Sequence, residues 1–183
     1  SYYLTKAAAQ ALRARVALYM QDWDNAIKYS SEIIDSEAKM FQLADARSQY
    51  TSDMTYLDYM WAYDVAYEII WRVGYTPTSY GGALGQVFLN FTSDYTYYYP
   101  DYIPAQWVLN LYDSSDGRLG AYFATLQTGY SSGLSLTLLT KYYGNQTLIG
   151  SNLYHLSMPK VFRLSEQYLI RAEAYCMKGD YSK

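Results

Sequence analysis

The two ends of the chain carry the same helical motif, and this repeat constrains the fold more than any other feature. Residues 5–36 place apolar side chains at helical spacing on both sides of a polar turn at 21–24, and Thr5 is positioned to cap the first helix. The pattern predicts two helices joined into a hairpin. On the first helix we expect the apolar stripe to consist of Ala8, Leu12, Val16 and Tyr19.

A second, partial copy of this hairpin ends the chain at 160–183. The pair Arg13–Ala14 recurs 158 positions later as Arg171–Ala172, and Trp23 after the first turn corresponds to Tyr181 after the second. Small residues at a helix crossing and an aromatic residue after the turn are typical of tetratricopeptide repeats. The sequence therefore predicts a mostly α fold, a tetratricopeptide-like α-α superhelix. The second copy stops where its partner helix would begin, so we expect either a truncated repeat or another segment covering this helix.

The middle of the chain, residues 73–159, has a different composition. No Lys or Arg occurs from Val73 to Gly117, and Lys141 is the sole formal charge from 119 to 159. We expect long irregular loops with a short helix at 104–113, and the glycine-rich part is compatible with a small β-hairpin. Just before this region, residues 68–73 fit a helix and a short buried strand equally well. We treat 1–183 as a single domain and 73–159 as its candidate ligand region.

Tyrosine supplies the candidate binding residues, because 25 of the 183 residues are tyrosine, against 5 phenylalanines. A preference for Tyr over Phe indicates rings with one edge in water. An exposed ring can lie against the C–H face of a sugar. The alternatives are a strand that turns Tyr97 and Tyr99 inward and ends at Pro100, and packing across a hairpin for Tyr130. The candidates are Tyr95, Tyr97, Tyr98, Tyr99, Tyr102 and Tyr130.

The sequence contains few residues suited to catalysis or to metal binding. The single cysteine and single histidine exclude most zinc sites and catalytic triads, so we predict no metal, cofactor or enzymatic activity. The carboxylate pairs Asp22/Asp24 and Asp113/Asp116 have the composition of turns and helix ends. Cys176 is expected as a small buried residue on a helix over 165–178. A formal net charge of -3 argues against nucleic-acid binding, which needs clustered Lys and Arg.

Several segments resemble the SusD/RagB family of nutrient-binding outer-membrane lipoproteins. The strongest resemblance is residues 158–174, MPKVFRLSEQYLIRAEA, which is similar to the family's helix with the pattern P-v-x-R-L-a-E-x-y-L-i-x-A-E-A. Residues 6–26, the segment 68–71, the turn from Leu111 to Arg118 and the pair Lys141–Tyr142 also resemble family segments. The resemblance covers the whole chain but only the middle of a typical member. We therefore expect an internal fragment, with the signal peptide and lipid-acceptor Cys outside it.

The resemblance implies a lipid-anchored protein on the cell surface. Such a protein captures oligosaccharides or polysaccharide fragments, or peptides in some members, and passes them to a SusC-like TonB-dependent transporter. The resemblance transfers no ligand residue, so the tyrosines are our own inference. Two rival functions remain open. One is a helical-repeat scaffold that binds only a protein partner. The other is a glycosidase, which would need two carboxylates about 5–10 Å apart in one cleft.

Overall fold

The computed structural model describes residues 3–65, 67–91, 96–130 and 133–182. The described residues contact one another in two compact units. The first unit lies within 1–44, 66–74 and 159–183, and the second within 45–65 and 75–158. No helix in the described part of the chain combines the length and apolar character needed to cross a membrane.

The first unit is built from three helices and a two-stranded sheet. Helices α1 (Lys6–Tyr19) and α2 (Trp23–Ile34) form the hairpin predicted over 5–36. The Thr5 hydroxyl accepts from the Ala8 amide at the start of α1, and the Asp22 carboxylate accepts from the Asn25 amide at the start of α2. Helix α7 (Leu164–Met177) packs mainly against α2. These three helices confirm the tetratricopeptide-like prediction for this part of the chain.

The buried face of α1 differs from the predicted one. Of the predicted stripe, Ala8 is buried but Leu12, Val16 and Tyr19 are exposed, and the buried side chains of α1 are all alanines. Alanine brings the helix axes close together, so the close crossing, rather than the largest side chains, selects the inward face. Cys176 is also exposed, contrary to our expectation, because α7 turns Ile170 and Ala174 inward. The buried alanines of α1 are Ala7, Ala8, Ala11, Ala14 and Ala17.

A short antiparallel sheet resolves the ambiguity at 68–73 in favour of a strand. Strand β3 (Ile69–Arg72) pairs with β6 (Lys160–Arg163), which leads directly into α7. Glu68, just before β3, is almost fully buried, and its carboxylate accepts from the Ala44 amide at 2.7 Å, the Ser165 hydroxyl at 2.7 Å and Arg163 Nη1 at 2.9 Å. These three donors balance the cost of burying its charge.

The second unit contains short elements separated by irregular chain. Helix α3 (Tyr56–Tyr63) begins with a capping box between Thr55 and Asp58. Strands β4 (Phe123–Gln127) and β5 (Ser135–Leu139) form the small hairpin that the sequence allowed. The helix expected at 104–113 is shorter, α4 (Gln106–Leu109). The remaining elements are β1 (Gln49–Thr51), β2 (Met54–Thr55), a 3₁₀ turn (Leu84–Val87), α5 (Gly117–Tyr122) and α6 (Gln146–Ile149).

A buried polar contact fixes the irregular chain of the second unit. Asp64 is fully buried, and its Oδ2 accepts from Asn145 Nδ2 at 2.9 Å and from the Met158 amide at 3.0 Å. Asn145 also donates to the Tyr63 carbonyl and caps α6. One carboxylate therefore holds three segments distant in sequence, in a region with too little regular structure to satisfy its own backbone.

Candidate functional site

The tyrosine-rich segment 96–102 lies beside the turn end of the β4–β5 hairpin. The Tyr98 amide donates to the Gln127 carbonyl at 3.2 Å, and the Gly129 amide donates to the Tyr98 carbonyl at 3.0 Å. On the other side of the segment, the Tyr99 amide donates to the Leu89 carbonyl at 3.0 Å. We call residues 96–102 and 128–130 the tyrosine loops. Backbone pairing on both sides holds these loops in a defined geometry.

Tyr98 turns inward, whereas the alternative of an inward-packing strand assigned that position to Tyr97 and Tyr99. Its ring packs edge-to-face on Phe91, with ring centroids 5.6 Å apart, and its hydroxyl lies 3.4 Å from that of Tyr143. Tyr143 stacks on Phe91 at 5.5 Å. Burial, and then the hydrogen bond with Tyr98, raise the pKa of Tyr143 well above its ordinary value. Tyr98 therefore holds the tyrosine loops in place by packing against Phe91 and Tyr143.

Tyr99 and Tyr130 form the one pair of candidate rings with a direct contact between described members. Their rings meet edge-to-face with centroids 5.5 Å apart, and the Tyr130 hydroxyl donates to the Pro100 carbonyl at 2.6 Å. The Tyr99 ring lies across Gly129, where a Cβ atom would come within 2.0 Å of Cζ of Tyr99. Gly129 is therefore required for this packing, and Tyr130 is held firmly at the surface.

Three candidate rings are exposed to solvent in the tyrosine loops. The exposed fractions are 38% for Tyr97, 66% for Tyr102 and 57% for Tyr130. Tyr99 is half-buried, and Tyr95 lies outside the described residues. The rings able to meet a ligand are therefore Tyr97, Tyr102 and Tyr130, while Tyr98 and Tyr99 support them. The sequence pattern did not separate these two groups.

The carboxylate pairs occupy the structural positions expected of them. Asp116 caps α5 and accepts from Arg118, whose hydrogen bonds lower the pKa of Asp116 to about 2. Asp113 accepts from the Ser115 amide at 2.8 Å, and Asp22 caps α2. Among the described residues, no three His, Cys, Asp or Glu side chains gather into a potential metal site.

Phe91, which is not among the predicted site residues, lies at the centre of the aromatic cluster that packs against the tyrosine loops. Its ring meets those of Tyr98, Tyr143, Tyr154 and His155, the last with centroids 4.2 Å apart. These partners are up to about sixty residues away in the chain, so no local pattern could have revealed the cluster. His155 is buried against Phe91, and this burial lowers its pKa. His155 is therefore a packing residue of this aromatic cluster.

Comparison with known structures identifies the fold. The chain superposes on a SusD superfamily protein from Bacteroides thetaiotaomicron with a TM-score of 0.71 and 23% identity, covering 98% of this chain and 38% of that one. It matches surface glycan-binding protein A from Bacteroides uniformis with a TM-score of 0.68 and 18% identity, over 97% of this chain and 39% of that one. A SusD-like carbohydrate binding protein from Bacteroides vulgatus superposes with a TM-score of 0.68 and 18% identity, covering 98% of this chain and 35% of that one.

The chain therefore has the fold of a segment of SusD-like structures, as the resemblance implied, and spans well under half the length of each. No protein-family model and no curated protein matches the sequence. The likeness also confirms the mostly helical, tetratricopeptide-like fold class. At these identities the likeness extends to the fold alone, and no ligand residue is transferred.

Proposed function

We propose that this chain is part of a cell-surface protein of the SusD type that captures oligosaccharides or polysaccharide fragments without cleaving them. The observation that carries the proposal is the shared fold over 97–98% of the chain with structures that include surface glycan-binding protein A and a SusD-like carbohydrate binding protein. The exposed rings of the tyrosine loops support it independently, because these loops contain no Lys or Arg and their one charged residue is Asp101.

The tyrosine loops would bind sugar through ring faces held in place before the ligand arrives. Covering roughly 40–50 Å² of apolar ring surface is worth about 1 kcal/mol. The Tyr130 ring is already fixed by its hydrogen bond to Pro100 and its contact with Tyr99, so binding immobilises little additional side chain. Two or three rings give a weak site, which suits a protein that must release its ligand.

The proposal extends to what becomes of the captured glycan. A SusC-like TonB-dependent transporter would receive it, and a lipid anchor would hold the protein at the outer membrane. Both statements come from the sequence resemblance. Co-purification of the native protein with a TonB-dependent transporter from detergent-solubilised membranes would support the transporter part of the proposal. Recovery of the protein from the soluble fraction, free of any transporter, would contradict it.

Glycan capture is tested with ring-removal variants in the complete protein. Affinity electrophoresis in gels that each contain one polysaccharide, such as starch, xylan, galactan or mannan, identifies a ligand, and calorimetry measures its Kd. We expect Tyr130→Ala and Tyr102→Ala each to raise Kd about fivefold, the equivalent of about 1 kcal/mol. Tyr130→Phe keeps the ring but loses the hydrogen bond to Pro100, so it should have a smaller effect.

The matched control is Tyr19→Ala, which removes an exposed ring from α1 in the first unit and should leave Kd unchanged. Binding of a peptide library with no glycan binding would point to peptide as the ligand. If no polysaccharide binds, or if the two ring-removal variants bind as well as the original chain, the proposal is wrong. That result would favour a helical-repeat scaffold for a protein partner.

A further inference from the structure

A cleft of about 220 Å³ opens in the second unit, apart from the exposed rings of the tyrosine loops. Its walls come from α3, α5, the turn after β5 and the first residue of α6. The cleft is smaller than the roughly 300–1,000 Å³ of sites that enclose drug-sized ligands. It can therefore receive one small ring but not a longer piece of chain. Its polar lining residues are Asp58, Thr140, Lys141, Tyr143 and Gln146.

Lys141 occupies a fixed position in this cleft. Its Nζ lies 4.4 Å from the ring centroid of Trp61, 4.7 Å from that of Tyr122 and 5.4 Å from that of Tyr142. The Trp61 ring in turn meets both tyrosine rings edge-to-face. Three aromatic contacts hold the ammonium group in place through cation–π attraction. A cation held in this way is an ordered hydrogen-bond donor rather than a mobile surface lysine.

The remaining polar groups complement Lys141. Asp58 supplies a carboxylate, which Thr55 also holds through the capping box of α3. Gln146 and Thr140 offer both donors and acceptors. The single positive and single negative charge cancel, so the cleft does not favour an ionic ligand. The cleft is therefore lined by both hydrogen-bond donors and hydrogen-bond acceptors. This lining matches the neighbouring hydroxyls of a sugar, because each hydroxyl can donate and accept a hydrogen bond.

We propose that this cleft is a second carbohydrate site, which takes a single uncharged pyranose unit. The proposal rests on the proposed function of glycan capture and deepens it. Tyr143 lines the cleft, and its hydroxyl lies 3.4 Å from that of Tyr98 in the tyrosine loops. The cleft thus borders a residue that supports the tyrosine loops, and in our proposal one glycan places a terminal or branch sugar in the cleft while the rest of it lies on the exposed rings. Binding at two linked places raises the affinity above that of either alone.

Gly120 provides a selective way to close the cleft. This glycine lies in α5 at the cleft wall, and no atom lies within 4 Å of the position its Cβ would take. A side chain at this position therefore starts in open space, and Gly120→Leu is designed to extend it into the cleft. Leucine also favours a helix over glycine by about 1 kcal/mol. Gly120→Ala gains a similar helix preference but adds only a methyl group. It is the matched control that leaves most of the cleft open.

The test follows Trp61 directly in the complete protein. The protein is labelled with 5-fluorotryptophan, each ¹⁹F signal is assigned by Trp→Phe variants, and methyl glucopyranoside, galactopyranoside and mannopyranoside are titrated in turn. We expect at least one glycoside to shift the Trp61 signal in the original chain and in Gly120→Ala, and to have no effect on it in Gly120→Leu. The exposed Trp107 serves as the internal reference. Gly120→Leu should also weaken polysaccharide binding about tenfold, the equivalent of about 1.4 kcal/mol.

The outcomes separate the cleft from the tyrosine loops. If no glycoside shifts the Trp61 signal, or if Gly120→Leu leaves the shift unchanged, the cleft proposal is overturned. Polysaccharide binding that still depends on Tyr102 and Tyr130 would then leave the proposed function intact. If glycosides shift the Trp61 signal but no polysaccharide binds, the cleft proposal is supported and glycan capture by the tyrosine loops fails. If no glycoside shifts the Trp61 signal and no polysaccharide binds, both proposals are overturned. Far-UV circular dichroism of Gly120→Leu verifies that the variant is folded.

Discussion

At the scale of single residues, His155 makes the stability of the protein depend on pH. Its ring is buried against Phe91, and burial lowers its pKa because the charged form is poorly solvated there. In the unfolded chain the pKa returns to about 6.5, so the unfolded state binds the proton first as the pH falls. The stability linked to His155 is therefore complete above about pH 6.5 and is lost as the pH drops towards the lowered pKa.

We expect the free energy of unfolding, measured with urea, to fall as the pH drops below about 6.5, with a slope of at most about 1.4 kcal/mol per pH unit. His155→Asn should remove this slope, because asparagine tolerates the backbone φ of 62° at this position and does not titrate. His155 is the one histidine of the chain, so no other histidine can substitute for it. A slope that persists in His155→Asn would show that another group causes the pH dependence.

At the scale of elements, the close packing of α1 on α2 can be tested at its alanines. Ala14 is fully buried in the cluster that also includes Ala26 and Ala174, whereas Ala9 on the same helix is exposed. Ala14→Leu should lower the free energy of unfolding by about 1–3 kcal/mol, because the larger side chain must push the helices apart. Ala9→Leu adds the same atoms to the same helix and should change the free energy of unfolding by less than about 0.5 kcal/mol. Equal effects in the two variants would contradict the packing described here.

The same helices show how far the sequence could predict the fold. The position of the hairpin followed from helical spacing, the cap at Thr5 and the polar turn at 21–24, because these signals are local. The inward face did not follow, since Leu12 and Val16 are more hydrophobic than the alanines that are buried. Likewise, 68–73 could not be assigned from its own residues. Its strand character depends on pairing with 160–163, about ninety residues later in the chain.

The candidate site was predictable to a similar extent. Its general location in the tyrosine-rich region that is poor in Lys and Arg followed from composition, and it stays a prediction that this region binds ligand. Which rings face water could not be predicted, because the loops have no period that separates an inner from an outer face. Tyr98 turns inward and Tyr102 outward because of backbone pairing with 87–89 and 127–129. These contacts are set by the tertiary structure.

At the scale of the whole molecule, the charge distribution predicts which glycans can bind. The chain carries a formal net charge of -3, and its 14 Lys and Arg include none from 73 to 117 and one from 119 to 159. The tyrosine loops therefore lack the positive charge that would attract uronate or sulfate groups. Binding should depend on ring contacts and hydrogen bonds, which salt screens far less than ion pairs.

We therefore expect the Kd for a neutral polysaccharide to change less than about twofold between about 0.02 M and 0.5 M NaCl, where the screening length shrinks several-fold. An acidic polysaccharide such as polygalacturonate should bind no better at the lower salt concentration. Calorimetry or affinity electrophoresis at both concentrations measures this directly, and lysozyme with polygalacturonate serves as a salt-sensitive reference. A Kd that rises steeply with salt would mean that the ligand is anionic and is held by cations outside the tyrosine loops. The uncharged rings would then be a structural feature of the second unit rather than its binding surface.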